Sequence, residues 1–315
     1  MQDDSWSRRK FATAVSGIVA GAALMAHAQT ANAQSVPWSA GTELPRLKLP
    51  PNAADCHHHI YDSRFPIAPE ATLKPADATV ADYRLLQKRL GVTRQVIVQP
   101  STYGVDNSNL LFALGETGLE TARGVAVVNT NVTDRELKDL HAAGVRGIRF
   151  NLSPAGSTTF QMVAPLSKQV EPLGWHIQVN ASSDQIVAAK DLWNSVPCPI
   201  VFDHLAHASQ PAGIQDPVVA VVIELMQKGK AWVKLSGAYL ESKVGVPSYS
   251  DTVPVARAYV KAAPERLVWG SDWPHPTEKV KPDDAILLDL LAEWVPDAAT
   301  RNRILVDNPA KLYGF

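Results

Sequence analysis

The sequence predicts an α/β fold, a single (β/α)8 TIM barrel behind a short extended N-terminal lead-in. Three observations predict it. Eight short runs rich in Val and Ile recur along the chain, amphipathic stretches of helical period separate them, and most of the runs start apolar and finish polar on one face. A doubly wound open sheet shares the alternation and is the competing architecture. The chain has 315 residues, 46% of them hydrophobic and 19% charged, which suits one large core without a second domain. Formal net charge is −1 and no basic block follows Lys10, so neither nucleic acid nor a membrane surface is an expected partner.

Residues 1–33 open with Ser7-Arg8-Arg9-Lys10-Phe11, continue through an apolar stretch from Ala12 to Ala28, and close on Ala31-Asn32-Ala33. This resembles a twin-arginine export signal with an A-x-A processing site, and implies a periplasmic protein handled by the twin-arginine machinery. A membrane anchor is the alternative. Thr13, Ser16, Gly17 and Gly21 keep the stretch only mildly apolar, so no stable insertion is expected after processing. Residues 34–51 are rich in proline and polar side chains and read as the lead-in, leaving 52–315 for the barrel. The two cysteines, Cys56 and Cys198, read as buried free thiols rather than a disulfide framework.

The strand-like runs are Ala53–His59, Gln95–Ser101, Gly124–Asn129, Gly147–Asn151, Trp175–Asn180, Pro199–His204, Ala231–Ser236 and Leu267–Asp272. Between them Val80–Leu90 carries Val80, Tyr83, Leu86 and Leu90 on one face. Thr133–Ala143 opens with Thr133 and Glu136 spaced as a capping box. Asp184–Trp193, Pro217–Gln227, Val253–Ala262 and Ala285–Trp294 follow the same period.

Barrel enzymes carry their chemistry where the strands end, and residues two apart on a strand share a face. That parity groups Asp55, His57 and His59 on strand one, with Cys56 and His58 turned away. It offers Gln99 and Ser101 on strand two, Arg149 and Asn151 on strand four, and His176, Gln178 and Asn180 on strand five. His204 ends strand six with Asp203 on the opposite face, Lys234 and Ser236 lie on strand seven, and Asp272 ends strand eight. Strands one and eight adjoin when a barrel closes, which brings His57, His59 and Asp272 together. Two imidazoles and a carboxylate can ligate one divalent metal, or can hold and deprotonate a water directly.

The motifs Asp55-Cys56-His57-His58-His59, Val98-Gln99-Pro100-Ser101, Gly147-Ile148-Arg149-Phe150-Asn151, Phe202-Asp203-His204, Lys234-Leu235-Ser236-Gly237 and Trp269-Gly270-Ser271-Asp272-Trp273-Pro274-His275 resemble the amidohydrolase superfamily. The branch is Amidohydro_2, and within it the groups of 2-pyrone-4,6-dicarboxylate lactonases, sulfomuconolactone hydrolases and galactarolactone isomerases. The resemblance covers nearly all of the chain after about Pro50, in the family's order. It departs from the binuclear members, which carry a metal-bridging lysine on strand four and a histidine ligand on strand five. Here those strands carry Arg149 and Gln178, so the resemblance implies either no required metal or one ion, most simply zinc, on His57, His59 and Asp272.

On this reading Asp272 takes a proton from the attacking water, and His57, His59 and His204 polarise the carbonyl and stabilise the oxyanion. A carboxylate that merely pairs with Lys234 or a histidine is the structural alternative for Asp272. Arg149 anchors a carboxylate or sulfonate in bidentate fashion. Arg146, Gln99, Ser101, Tyr103, Gln178, Lys234, Tyr239 and His275 are candidate substrate contacts, with Trp273 and His275 shaping the rim. No Gly-x-Ser-x-Gly elbow and no glycine-rich phosphate loop is present, which speaks against an acyl-enzyme and a nucleotide cofactor. The expected reaction is hydrolysis of a small anionic lactone. A lactone isomerase on the same scaffold, a non-oxidative decarboxylase and a non-catalytic binding protein of a related acid stand as alternatives.

Overall fold

The computed structural model describes residues 35–153 and 156–315, so the export signal expected at 1–33 lies outside them. Eight parallel strands alternate with helices. They are β1 (Ala54–His58), β2 (Arg94–Val98), β3 (Ala122–Ala126), β4 (Val145–Asn151), β5 (His176–Asn180), β6 (Ile200–Phe202), β7 (Ala231–Leu235) and β8 (Leu267–Trp269), each hydrogen-bonded to the next in order. Backbone bonds just beyond the strand ends join the last to the first: the Asp272 amide donates to the His57 carbonyl at 2.7 Å, and the His59 amide to the Trp273 carbonyl at 2.8 Å. Eight parallel strands brought round in this way, with helices outside, form the barrel and not the open sheet.

The helices are α1 (Val80–Leu90), α2 (Ser108–Thr117), α3 (Asp134–Ala142), α4 (Phe160–Val170), α5 (Ser183–Ala188), α6 (Lys190–Ser195), α7 (Pro217–Gln227), α8 (Ala238–Glu241), α9 (Val253–Ala262), α10 (Asp284–Trp294), α11 (Ala298–Asn302) and α12 (Asn308–Tyr313). Local chemistry sets their ends. Thr79 with Asp82 and Thr133 with Glu136 close reciprocal capping boxes on α1 and α3. The single helix expected over Asp184–Trp193 is two, α5 and α6, meeting at Ala189. The Trp193 indole donates to the Ile186 carbonyl and so takes an acceptor that a continuous helix would use for its own backbone. α4 holds Pro165 in its interior, which blurs the helical period in sequence. Among the described residues no helix is long and apolar enough to cross a membrane.

Two apolar regions result. A small one fills the barrel with Ala54, Cys56, Val96, Val98, Val125, Val201, Trp232, Val268 and Tyr313. The larger lies between strands and helices. Both cysteines are free and buried.

One expectation about strand one fails here. Asp55 pairs with Gln95 but His58 with Ile97, three steps against two, so β1 bulges and side-chain alternation breaks. Cys56 and His57 both turn inward. Asp55 points outward and accepts from the Tyr83 hydroxyl at 2.9 Å and from the Ser271 hydroxyl at 2.6 Å. Gly270 makes room for the bulge, because a Cβ there would lie 2.6 Å from the His57 Cβ. The expected strands also overrun the ladders at their C-terminal ends. Residues 99–101, 203–204 and 270–272 leave the sheet just beyond the strand ends.

Candidate active site

Four side chains converge at the C-terminal mouth. His57 Nε2 lies 3.3 Å from His59 Nε2, and Asp272 Oδ1 lies 3.5 Å, 3.6 Å and 3.9 Å from the Nε2 atoms of His57, His59 and His204. Asp272 and His204 reach this point through left-handed backbone, φ 65° and 49°, which non-glycine residues adopt at some cost. Above them opens a cleft of about 250 Å³ lined by Tyr61, Ser101, Arg149, Asn151 and Leu240, among others.

Hydrogen bonds assign the ring nitrogens. The Nδ1 of His59 faces the Val98 carbonyl at 2.8 Å, which can only accept, so neutral His59 presents a lone pair at Nε2. His57 Nδ1 makes its hydrogen bond with Lys234 Nζ at 3.1 Å and lies 3.2 Å from Asp203 Oδ1, a buried carboxylate oxygen with no hydrogen-bond partner among the described residues. With Lys234 donating, Nδ1 accepts and the proton sits on Nε2; a proton on Nδ1 turned toward Asp203 instead frees the Nε2 lone pair. His204 differs, because its Nδ1 meets the Ser236 hydroxyl at 3.0 Å, which can donate to it, leaving Nε2–H to point at the mouth.

Burial pulls the His57 imidazole well below its ordinary range, with Lys234 acting in the same direction, and pulls His204 down to about 4. Burial works against charge on Asp272 as well. The imidazoles of His204, His59 and His57 outweigh it and hold the carboxyl well below the usual range. Asp272 is therefore ionised at the centre of the site.

When His57 carries its proton on Nδ1, two imidazole lone pairs and a carboxylate oxygen face one another at 3.3–3.6 Å and need a proton or a cation between them. Tetrahedral zinc with bonds of about 2.0–2.1 Å spaces its ligands about 3.3–3.4 Å apart, so the donor set fits a single ion. His57 with Asp203 and His204 offers a second, overlapping trio.

Beneath the mouth lies a buried polar layer whose Asp203 the sequence reading set on the face opposite His204. Asp203 is not on the far face. It lies inside, two residues beyond inward Val201, and its Oδ2 accepts from Arg149 Nε and Gln178 Nε2, each at 3.1 Å. His204 reaches the same site because the chain turns left-handed there. Lys234 donates to Gln178 Oε1 at 2.7 Å and sits 3.6 Å from Asp203; burial lowers its pKa to about 8. Gln178 and Lys234 are wholly buried and absent from the cleft lining, so they support the site instead of contacting substrate. Arg149 does line the cleft and spends only its Nε on Asp203.

Several expected contacts lie elsewhere. Arg146 donates to the carbonyls of His141 and Val145 at the start of β4, away from the mouth. The Tyr103 hydroxyl bonds both backbone groups of Asp62, and Gln99 donates to the Asp106 carbonyl; both hold loops. Tyr61 lines the cleft and went unmarked in sequence. Tyr239 and His275 serve the carboxylate. The Tyr239 hydroxyl donates to Asp272 Oδ2 at 2.5 Å and meets His275 Nδ1 at 3.0 Å, while His275 Nε2 lies 3.2 Å from Asp284. His275 and Trp273 are fully buried, so neither forms the rim. Asp203 had a legible signal, its parity with Val201. Asp284, at the start of α10, had none.

The model of the Amidohydro_2 amidohydrolases matches residues 54–315. The chain is 34% identical to the 2-pyrone-4,6-dicarboxylate hydrolase of Comamonas testosteroni over 88% of this chain and 94% of that one. It is 36% identical to the 4-sulfomuconolactone hydrolase of Rhizobium radiobacter over 84% and 91%. An apo crystal structure from Agrobacterium tumefaciens, 29% identical, superimposes with a TM-score of 0.82 over 88% of this chain and 98% of that one.

Proposed function

This chain belongs to the amidohydrolase family, and from that premise we propose that it hydrolyses a small lactone bearing an anionic group, with Asp272 as the base. The observation that carries the reading is one ionised carboxylate within 3.9 Å of three imidazoles, under a cleft that Arg149 enters with its Nη groups uncommitted among the described residues. Arg149 pairs with the substrate carboxylate or sulfonate and fixes the ring over Asp272. The water oxygen bonds to the ring carbonyl carbon as Asp272 accepts its proton, and His204 Nε2–H donates to the developing oxyanion. The ring C–O bond then breaks, Asp272 returns the proton to the departing oxygen, and a hydroxy acid leaves.

A divalent ion such as zinc would be held by His57 Nε2, His59 Nε2 and Asp272 Oδ1, and when bound supplies Lewis acidity to water and carbonyl. His57 and His59 supply lone pairs in their neutral forms, which leaves oxyanion donation to His204. The reading includes export: the Ser7-Arg8-Arg9-Lys10-Phe11 pattern supports periplasmic delivery through the twin-arginine machinery.

The test is a panel of carboxylated and sulfonated lactones, followed by NMR with and without a chelator, for the parent and Asp272→Asn. Acid release by the parent and its loss by about 10²–10⁴-fold in the variant supports the reading. A rearranged lactone without net acid turns it to isomerisation, and full activity in the variant removes Asp272 from the chemistry.

A further inference from the structure

Between β8 and α10, residues 270–283 run without strand or helix, and this stretch delivers Asp272 and His275. Both lie in left-handed backbone, φ 65° and 54°, which residues with a Cβ adopt at a cost. A segment of that kind keeps its shape only where the surroundings over-determine it. The lead-in, in sequence no more than a proline-rich approach to the barrel, does so here.

Residues 36–41 make a turn, with the Ser39 amide donating to the Val36 carbonyl at 3.2 Å, and lie along that stretch. The Trp273 indole donates to the Pro37 carbonyl at 2.8 Å, the Ala40 amide to the Pro282 carbonyl at 2.9 Å, and the Asp284 amide to Ser39 Oγ at 3.2 Å. Lys281 sits over the Trp38 ring and donates to the His275 carbonyl at 2.6 Å. Buried Arg89, in the last turn of α1, joins the two segments by donating to Ser39 Oγ, to the Ala40 carbonyl and to Asp283 Oδ1. Gly41 permits the approach: its φ is 68°, and a Cβ there would overlap Asp283 Oδ2.

These contacts fall beside the bonds that end on Asp272. Trp273 is its chain neighbour. Asp284 faces His275 Nε2, His275 Nδ1 meets the Tyr239 hydroxyl, and that hydroxyl donates to Asp272 Oδ2. Farther along, the lead-in grips elsewhere, where the Arg46 side chain and the Leu47 amide both donate to Asp289 inside α10. We infer that residues 36–41 are a strap that positions the proposed base: Ser39 and Gly41 act through Asp284, His275 and Tyr239 on the orientation of the Asp272 carboxylate. Arg149, on β4 at the opposite side of the barrel, lies outside its reach. The inference rests on Asp272 as the base and adds to that reading positioning residues that never touch the substrate.

The full chain is prepared as Ser39→Ala, Ser39→Thr, Gly41→Ala and Arg46→Ala, and each is confirmed folded by circular dichroism. Two readouts follow: the carbon NMR resonance of the Asp272 carboxyl, assigned with Asp272→Asn, and kcat and KM on a lactone that the parent opens. Ser39→Ala and Gly41→Ala are expected to move the resonance and to lower kcat by about tenfold or more, with KM unmoved. Ser39→Thr keeps the accepting hydroxyl and is expected to restore both readouts, and Arg46→Ala to match the parent. An unmoved resonance, an unchanged kcat, a loss confined to KM or an equal loss in Ser39→Thr overturns the strap. If the resonance follows the expected order but the parent opens no lactone, the strap stands and the hydrolytic reading fails.

Discussion

His57 Nε2 and His59 Nε2 stand 3.3 Å apart; the other nitrogen of His59 meets the Val98 carbonyl, and that of His57 lies between Lys234 Nζ at 3.1 Å and the Asp203 carboxylate at 3.2 Å. With Asp272 Oδ1 beside them they form a three-donor nest. The protein is expected to bind one equivalent of zinc. Asp203→Asn, which removes the acceptor that orients His57, should weaken binding by about 10–100-fold. Competition with a chromophoric chelator reads both. A parent that takes up no metal would leave the nest to a proton.

Tyr239 holds the other oxygen of the same carboxylate. Tyr239→Phe removes a hydrogen bond to a charged group and frees Asp272 to rotate. The expected loss is in kcat, by about 10–100-fold, with KM nearly unmoved. A change confined to KM would place the hydroxyl on the substrate instead.

Gly270→Ala tests the bulge that turns His57 inward. The added Cβ would lie 2.6 Å from the His57 Cβ and 2.8 Å from its backbone nitrogen, neither of which is a flexible chain end. Destabilisation of about 1–3 kcal/mol is expected in urea unfolding, accompanied by loss of activity. An unchanged midpoint would show that β1 and β8 can part freely.

His176, at the start of β5, is buried against Tyr313 with neither ring nitrogen bonded among the described residues. Burial brings it from 6.5 to about 3. Between those values the unfolded chain binds the proton that the folded chain refuses. Stability is therefore fully present above about pH 6.5 and declines as the pH falls toward 3, by ~5 kcal/mol at most from this group. His176→Leu should make the urea midpoint less sensitive to acid between pH 7 and 4.5. The contributions of His58 and His204, of the same sign, would remain.

All eight strand positions were legible because Val- and Ile-rich runs report burial on both faces, α1 because its apolar residues fall on one helical face, and α3 because its cap is written in adjacent residues. The meeting of His57, His59 and Asp272 was legible too, since closing a parallel barrel forces strand eight against strand one. Arg149 in the mouth followed from parity along an unbroken strand.

Where parity broke, sequence reasoning broke with it. A bulge in β1 sent Asp55 outward. A left-handed turn after β6 let Asp203 and His204 both face in, though they are adjacent residues. Tyr239 and His275 were read as substrate contacts, but the Tyr239 hydroxyl bonds Asp272 and the His275 ring bonds Tyr239 and Asp284, because their segments fold back over the strand end.

The sequence by itself determined the barrel, the order of its strands and which side chains crowd its mouth, because periodicity and burial are local quantities that each segment carries alone. Tertiary structure decided which of those side chains face the substrate and which face one another. That choice depends on one-residue bulges and loop paths, set by packing between segments as distant as His57 and Gly270, which no single segment encodes.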